Sequence, residues 1–415
     1  MATGASDFDP STFDLVDTAG YERNGYPHAE WTWLRANEPV FWHEPNNFDP
    51  FWAITKHADI IEIGKRPRDF LIGPRIAIFA NDLPVDDQPT RHLATMDGAE
   101  HGKFRNVIAK RFTPRMVGAW ASKVRAITRQ TFDEAAGMAE CDFVHDVAAP
   151  ITIAVIAEML GVPPSDWELL FRLTNQIATP EDPEFQQGAT AMETLNRARE
   201  EVFGYFHELA MDRRRKPTDD IISEIANARV DGKLLDAVEL LSYYFLLVIA
   251  GNETTRNAMT GGLLALVEEP GEWKKLVDDP GLIEPAVEEI VRWTTPVIQF
   301  ARTAARDVEI RGQRIREGQS VCLFFPSGNR DEERFEDPFQ FRIDRRPNEH
   351  VGFGRGEHLC MGAHLARLEL RCMLEQLRER LEEIETVGSA IRVRSSFVGG
   401  IKHAQIRWKL GAAKD

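Results

Sequence analysis

A glycine-rich loop at residues 353–362 precedes the last strong helical pattern of this 415-residue chain and contains one of its four cysteines. Cys360 lies near the predicted N-terminus of that helix, where the helix dipole and free backbone N–H groups favour a thiolate. Gly354 and Gly356 permit turns with positive φ and let the backbone approach a flat macrocycle closely. Most single cysteines are buried, unreactive hydrophobic groups. Here the glycines and the following helix favour a thiolate that serves as a metal ligand.

Composition restricts the class of protein further. The net charge of −16 argues against non-specific binding to nucleic acid, and four cysteines do not resemble a disulfide scaffold. The N-terminus has no basic start followed by an apolar run, and the apolar run at residues 243–251 is too short to span a bilayer. We therefore expect a cytoplasmic protein without a membrane anchor. No linker or repeat divides the chain, so residues 1–415 are expected to form one domain, with a short acidic N-terminal extension at about residues 1–25.

The hydrophobic pattern predicts a helix-rich chain with small sheets, hence a mainly α or α+β fold. A hairpin is predicted at residues 40–54 and a long loop at residues 71–95. Short strands are predicted at residues 304–310 and 319–323, and a strand, a loop and a second strand at residues 391–410. Helices are predicted at residues 28–37, 100–110, 115–136, 149–160, 166–176, 190–213, 219–228, 234–267, 283–293 and 361–382.

The glycine-rich loop has the pattern Phe-Gly-x-Gly-x-His-x-Cys-x-Gly from Phe353 to Gly362. This pattern resembles the haem-binding loop of the cytochrome P450 family at every position. The resemblance implies the cytochrome P450 fold, a helix-rich triangular prism with small β-sheets, and a haem b cofactor whose iron is bound by Cys360. It also implies that Phe353, Gly354, His358 and Gly362 contact the cofactor.

The long helix predicted in the middle of the chain contains Ala-Gly-Asn-Glu-Thr-Thr at residues 250–255. This sequence resembles the oxygen-activation motif of the same family. Leu247, Ala250, Gly251 and Thr254 share one predicted helix face, and small residues there leave room for haem, dioxygen and substrate. The resemblance implies that Ala250 and Gly251 adjoin the cofactor and that Thr254 and Glu253 are catalytic groups that deliver protons. In isolation, the threonine would more often bond a backbone carbonyl and the glutamate would lie on the surface.

Four basic residues resemble the family's partners of the haem propionates. His101 and Arg105 lie four residues apart on one predicted helix, and Arg302 and His358 match the other two partners. Cations that face two carboxylates form charge-assisted hydrogen bonds with them. Considered singly, each of these residues is as readily explained as a surface residue.

A Glu-x-x-Arg sequence, Glu289 to Arg292, places two opposite charges on one helix face. Glu288 is an alternative partner for Arg292, and most such pairs are solvated surface pairs that stabilise little. The family buries this motif and completes it with a later arginine, which Arg345 resembles. The resemblance implies a structural role, in which the three residues hold the irregular segment beneath the haem.

The resemblance also implies an oxidoreductase: a monooxygenase that uses O2 and electrons from a ferredoxin and an NAD(P)H-dependent ferredoxin reductase. The chain tail at residues 395–402 is similar to that of bacterial members that act on steroids, terpenoids and alkyl lipids, so we expect a hydrophobic substrate. The candidate surface for an acidic ferredoxin contains Lys103, Lys110, Arg111, Arg355 and Arg367. The candidate substrate contacts are Phe79, Leu247, Val248, Val297, Ile298, Phe300, Phe397 and Val398.

Two other functions remain open from the sequence. A haem-thiolate peroxygenase would use peroxide, but it would not need the proton delivery that Glu253 and Thr254 offer. A non-catalytic haem-binding sensor or carrier would need an output domain, and the sequence offers no sign of one.

Overall fold

Helices form most of the structure, a computed structural model that describes residues 9–78 and 92–412. Several helices begin at side-chain caps that the sequence provides. The Thr113 hydroxyl accepts the N–H of Met116, and Asp236 and Glu239 form a reciprocal capping box at the start of the longest helix. The helices are α1 (Thr18–Asn24), α2 (His28–Asn37), α3 (His57–Gly64), α4 (Gly98–Ile108), α5 (Pro114–Ala135), α6 (Ala149–Leu160), α7 (Trp167–Ala178), α8 (Ala191–Arg215), α9 (Ile221–Ala226), α10 (Ala237–Glu268), α11 (Pro270–Asp278), α12 (Ile283–Thr294), α13 (Phe325–Gly328) and α14 (Ala363–Arg380).

Helix α10 is the central element of the helical part. It packs against α6, α7, α8, α12 and α14, and it contributes residues to two separate hydrophobic clusters. One cluster lies around its first half, where Tyr243 and Tyr244 are buried, and the other lies around Met259 and Leu263. A helix that is apolar on most sides must be enclosed by others. The middle of α10, between the two clusters, carries the residues of the oxygen-activation motif.

The largest sheet has five strands in the order β1-β2-β10-β7-β3. Strands β2 and β10 are parallel, and the other neighbouring pairs are antiparallel. In β7 and β10, Arg302 lies opposite Val321 and Phe300 lies opposite Leu323. The strands are β1 (Val40–His43), β2 (Phe51–Ile54), β3 (Phe70–Leu71), β4 (Glu140–Asp142), β5 (Arg229–Val230), β6 (Lys233–Leu234), β7 (Gln299–Ala304), β8 (Val308–Ile310), β9 (Gln313–Ile315), β10 (Ser320–Phe324), β11 (Leu381–Thr386), β12 (Ile391–Arg392), β13 (Ile401–His403) and β14 (Gln405–Leu410).

The N-terminal segment packs onto this sheet. Phe13, Leu15, Val16 and Tyr21 are buried in a cluster with Trp31 of α2. Apolar side chains in this segment therefore contribute to the core in spite of its acidic composition.

The predicted mainly α fold with small sheets is confirmed, and the predicted helices differ from the observed ones mostly at their ends. The prediction for residues 149–160 coincides with α6, whereas α14 begins at Ala363, two residues later than predicted. The strand predicted at residues 304–310 is two strands, because β7 ends at Ala304 and β8 begins at Val308. Helices α1, α3, α11 and α13 were not predicted. Within the described ranges, none of the helices combines the length and hydropathy that a membrane span requires.

Candidate active site

Cys360 lies in the turn that leads into α14. Its backbone N–H donates to the Phe353 carbonyl at 2.9 Å, which closes the glycine-rich loop on itself. The side chain is accessible to solvent although many protein atoms surround it. Burial raises the pKa of the Cys360 thiol, while the N–H of Gly362 and the charge of Arg105 lower it. These donors would stabilise a thiolate.

The two glycines before Cys360 serve different purposes. Both have positive φ, +70° at Gly354 and +77° at Gly356. A Cβ on Gly356 would lie 1.8 Å from the Gly64 carbonyl oxygen at the end of α3, so this glycine is required by backbone contact. A Cβ on Gly354 would meet nothing nearer than 3.8 Å. Only the turn itself, therefore, demands glycine at position 354.

The four predicted propionate partners lie beside this loop. The rings of His101 and His358 are 4.2 Å apart between centroids, and Arg105 Nη2 donates to the Leu359 carbonyl at 2.8 Å. Burial, and then the neighbouring His358, lower the pKa of His101. Arg302, on β7, is 6% exposed, and burial lowers the pKa of its guanidinium to about 10.

Whether the residues fit a haem is tested by their counter-ions: His101 Nδ1 lies 3.4 Å from a carboxylate oxygen of Glu357, whereas Arg302 and His358 lack a close carboxylate among the described residues. The Arg302 guanidinium donates to the Ala301 carbonyl and forms no ion pair within residues 9–78 and 92–412. His358 Nε2 is buried without a hydrogen bond from the described residues, and its nearest carboxylate, that of Asp97, is 3.9 Å away. Buried cations normally have counter-ions. Two propionates on the edge of a haem would supply them, so the residues fit this cofactor.

The oxygen-activation motif faces a cavity of about 390 Å³. Ala250, Glu253 and Thr254 line it from α10. The Thr254 hydroxyl donates to the Ala250 carbonyl at 3.1 Å, the back-bonded arrangement common for threonine within a helix. Gly251 does not line the cavity, since it faces α6, where a Cβ would lie 2.8 Å from Ile156. The small residue at 251 thus allows α6 and α10 to pack closely.

Glu253 is buried in an ion pair that the sequence analysis did not predict. It is 1% exposed, and Arg256 Nη2 binds its carboxylate. Arg256 also donates to Asn175 Oδ1 of α7 at 2.9 Å, and its guanidinium lies 5.3 Å from the centre of the Phe171 ring. Burial raises the pKa of Glu253, and the charge of Arg256 opposes that rise. The spacing of three residues on α10 was the available signal.

Four of the predicted substrate contacts line the cavity and three do not. Val297 pairs with Val398 in an isolated bridge, and the rings of Phe300 and Phe397 lie 5.8 Å apart. The other three are core residues: Leu247 and Val248 of α10 and Ile298 before β7 are buried in hydrophobic clusters. Phe79 lies outside the described residues.

The helix face toward the cavity explains this difference. Leu246 and Ile249 line the cavity because they stand one turn before Ala250 and Glu253. Leu247 is rotated away from that face, into the core. The wall also contains residues that are not among the named candidate contacts, among them His92, Thr95, Ile177, Phe245, Arg394 and Ser396.

The predicted Glu-x-x-Arg motif is a fully buried cluster. Arg292 Nε and Nη2 bind the two oxygens of Glu289 at 2.7 Å each, and Arg345 Nε lies 3.2 Å from the same carboxylate. Both arginines also donate to the Gln340 carbonyl. One carboxylate and two guanidinium groups therefore bind the irregular chain that follows α13.

Most of the candidate ferredoxin surface is already neutralised by acidic neighbours. Only Arg355, which is exposed, forms no ion pair with any residue that the structure describes. The other four cations have partners: Lys103 with Asp231, Lys110 with Glu224, Arg111 with Asp219 and Glu224, and Arg367 with Glu288. The local positive charge is thus smaller than the basic residues alone suggest.

Known proteins are similar to this chain in sequence and in fold. Residues 281–385 match the family model described as Cytochrome P450. The chain is 37% identical to a steroid C26-monooxygenase of Mycolicibacterium smegmatis, over 98% of this chain and 95% of that protein. The chain belongs to the cytochrome P450 family. It is also 36% identical to a methyl-branched lipid omega-hydroxylase of Mycobacterium tuberculosis, over 86% of this chain and 84% of that protein.

The architecture agrees with this assignment. The chain superposes on a cytochrome P450 of Mycobacterium marinum, solved in complex with pseudoionone, with a TM-score of 0.88 and 33% identity over 97% of this chain and 99% of the other. The expected cytochrome P450 fold is confirmed. As a member of this family the protein is a monooxygenase with a haem cofactor.

Proposed function

We propose that this cytochrome P450 hydroxylates a hydrophobic molecule of steroid, terpenoid or alkyl-lipid type. The observation that carries the proposal is the largely apolar cavity, which Thr254 and Glu253 of α10 help to line. The reaction consumes the substrate C–H bond, O2, two electrons and two protons, and it yields the alcohol and water. The relatives are named for steroid and lipid oxidation, which agrees with such a substrate.

Haem b is the cofactor that the proposal requires. Cys360 would bind its iron through the thiolate, and His101, Arg105, Arg302 and His358 would bind its propionates. Phe353, Gly354 and Gly362 would form the loop against it, and Ala250 the opposite face. When bound, the thiolate-ligated haem would provide the chemistry that cleaves the O–O bond and oxidises the substrate C–H bond.

Thr254 and Glu253 have the chemistry that proton delivery to this face requires. The Thr254 hydroxyl can release its bond to Ala250 and turn toward the cavity, since hydroxyl rotors exchange partners readily. Glu253 lines the same cavity and is the nearest carboxylate along α10. Burial raises the pKa of the Glu253 carboxyl, which makes its carboxylate a better proton acceptor. Protons delivered in this way favour water over peroxide as the second product.

We also propose a ferredoxin as the electron donor, served by an NAD(P)H-dependent reductase. Arg355 offers the most direct test, because it lies within the loop at residues 353–362 and its charge is not compensated by any described residue. Arg355→Glu should slow reduction by an acidic ferredoxin at low ionic strength and have little effect at high salt. Arg355→Lys is the matched control, because it keeps the positive charge at the same position. Equal rates for Arg355→Glu and the unaltered enzyme at all salt concentrations would argue against this surface.

The function is tested in two steps. Reduced protein with carbon monoxide should show the red-shifted Soret band of thiolate ligation, and Cys360→His should abolish the band while Cys372→Ser, at a buried cysteine, should retain it. Steroids, terpenoids and alkyl lipids are then screened for high-spin shifts of the haem, and turnover is followed with ferredoxin and reductase. Shifts caused only by polar compounds would contradict the proposed substrate class. Turnover with peroxide alone would indicate a peroxygenase, and a bound haem without turnover would indicate a non-catalytic role.

A further inference from the structure

Arg394 is a cation in the cavity wall without a counter-ion. It is half-buried, and it lines the cavity together with Thr179 and Pro180, which follow α7. Its guanidinium forms no hydrogen bond or ion pair within residues 9–78 and 92–412, and Glu181, which also lines the cavity, does not pair with it. Unlike the solvated arginines of the outer surface, Arg394 presents this charge to an internal cavity.

The carboxylate of Asp182, which contacts the Arg394 backbone, is already neutralised by Lys402. Asp182 accepts the backbone N–H of Arg394 at 3.0 Å, but its two oxygens bind Lys402 Nζ at 2.7 and 2.9 Å. Asp182 and Lys402 are both buried, so the Asp182 carboxylate is not free to pair with the Arg394 guanidinium. Two other arginines lie in the wall: Arg75 pairs with Asp49 at 2.5 Å, and Arg199 Nη2 donates to Asn196 Oδ1 at 3.5 Å. Arg394 therefore differs from Arg75, because its charge is available to a molecule in the cavity.

Most of the remaining wall is apolar. Phe397 packs on Phe300, and Val297 bridges Val398, in the cavity that Thr254 also lines. Burial lowers the pKa of His92, which also lines the cavity, to about 4, and this imidazole is therefore neutral at physiological pH. It cannot provide a positive charge. The cavity is thus largely apolar, and the same wall contains the Thr254 hydroxyl and the cationic group of Arg394.

We infer that Arg394 binds a carboxylate at one end of an otherwise hydrophobic substrate, so that the far end of the molecule lies near Thr254. A guanidinium recognises a carboxylate through paired, charge-assisted hydrogen bonds. Partial burial strengthens such a contact relative to one on the surface. The inference rests on the proposed function, because it assumes that substrates occupy this cavity. It adds the chemical class of the substrate's polar end and the direction in which the molecule binds.

The test compares acids with their methyl esters on the haem-loaded enzyme. Hexadecanoic acid and methyl hexadecanoate form one pair, and cholanic acid and its methyl ester form the other. Dissociation constants come from the high-spin shift of the haem, and the oxidised carbon is identified by mass spectrometry after turnover. The variants are Arg394→Gln and Arg394→Lys. Arg75→Gln serves as the control because it removes the same charge from an already neutralised position in the wall.

For at least one pair, the acid should bind about tenfold or more tightly than its ester, in line with a charge-assisted hydrogen bond. Arg394→Gln should remove this preference, Arg394→Lys should retain part of it, and Arg75→Gln should leave it intact. Oxidation should occur at the end remote from the carboxylate. Equal or weaker binding of both acids, including no binding, would overturn the inference, as would a preference that survives Arg394→Gln or is lost equally in Arg75→Gln. The proposed function would fail separately, through absence of the thiolate-type carbon monoxide band or of ester oxidation.

Discussion

Arg256 binds the carboxylate of Glu253 from one turn further along α10, and both side chains are fully buried. The pair links the cavity to α7, because Arg256 also donates to Asn175. A carboxylate in this position experiences two opposed effects: burial favours its neutral form, and the guanidinium favours its charged form. The protonation state of Glu253 at a given pH thus depends on Arg256, which does not itself line the cavity.

The pH dependence of coupling should therefore change in Arg256→Gln. Burial raises the pKa of Glu253 and Arg256 lowers it, so removal of the guanidinium raises that pKa further. A protonated Glu253 cannot accept a proton, so product formed per electron pair should decrease as pH falls through this pKa. In Arg256→Gln the decrease should begin at a higher pH, with more peroxide at neutral pH. Arg256→Lys, which keeps the charge, should shift the profile less; superimposable profiles for all three proteins would contradict the role of the pair.

Glu289→Gln should destabilise the protein strongly. The carboxylate binds Arg292 and Arg345 where no water reaches it, and loss of one partner from a buried pair costs about 3–5 kcal/mol in the free energy of unfolding. Asp278→Asn is the control, because its pair with Lys274 is exposed and contributes about 0.5 kcal/mol or less. Urea denaturation of the haem-loaded proteins measures both changes. A similar effect in the two variants would show that the buried cluster does not stabilise the fold.

Alanine substitutions at the two loop glycines should have unequal effects. Gly354→Ala introduces only the strain of positive φ, about 1–2 kcal/mol. Gly356→Ala adds a collision with the Gly64 carbonyl, so the loop must move away from α3. Haem content and the carbon monoxide band of each purified variant provide the measurement. We expect a much larger loss for Gly356→Ala, and equal losses would refute the assignment of the close contact.

Leu247→Ala and Ile249→Ala should separate stability from substrate binding. Leu247 is a core residue, and its truncation should cost about 2–5 kcal/mol in the free energy of unfolding while substrate affinity changes little. Ile249 lines the cavity, so its truncation should weaken or redirect substrate binding with a smaller loss of stability. Denaturation curves and haem spin-state titrations on the same preparations give both quantities. The reverse pattern would mean that the cavity face of α10 is misassigned.

Sequence reasoning performed best where chemistry fixes residue types at fixed spacing. The Cys360 loop and the Glu289 cluster have such patterns, and the structure brings their members together. It performed less well on α10, where Leu247 and Ile249 are both apolar and only the rotation of the helix decides which lines the cavity. That rotation is set by packing against several other helices, and a single helix pattern does not contain it.

Ion-pair partners were the other feature that the sequence did not predict. Arg256 was not predicted because the sequence does not say whether a pair three residues apart is buried or solvated. The basic residues near α4 were predicted as an open surface, yet Lys103 and Arg111 bind acids more than 100 positions away along the chain. Such pairs depend on how distant segments pack, so composition alone could not reveal them.

The bridge between Val297 and Val398 shows how the cavity wall is assembled. The wall comes from the middle of α10 and from short stretches of other elements, while the Glu289 cluster lies among other residues and shares none of them. After gene duplication, substitutions of cavity-facing side chains such as Val297 and Ile249 could therefore change the substrate of one copy while the Glu289 cluster stays intact. Diversification of this kind requires little compensation elsewhere, and selection can act on the wall and on the scaffold independently.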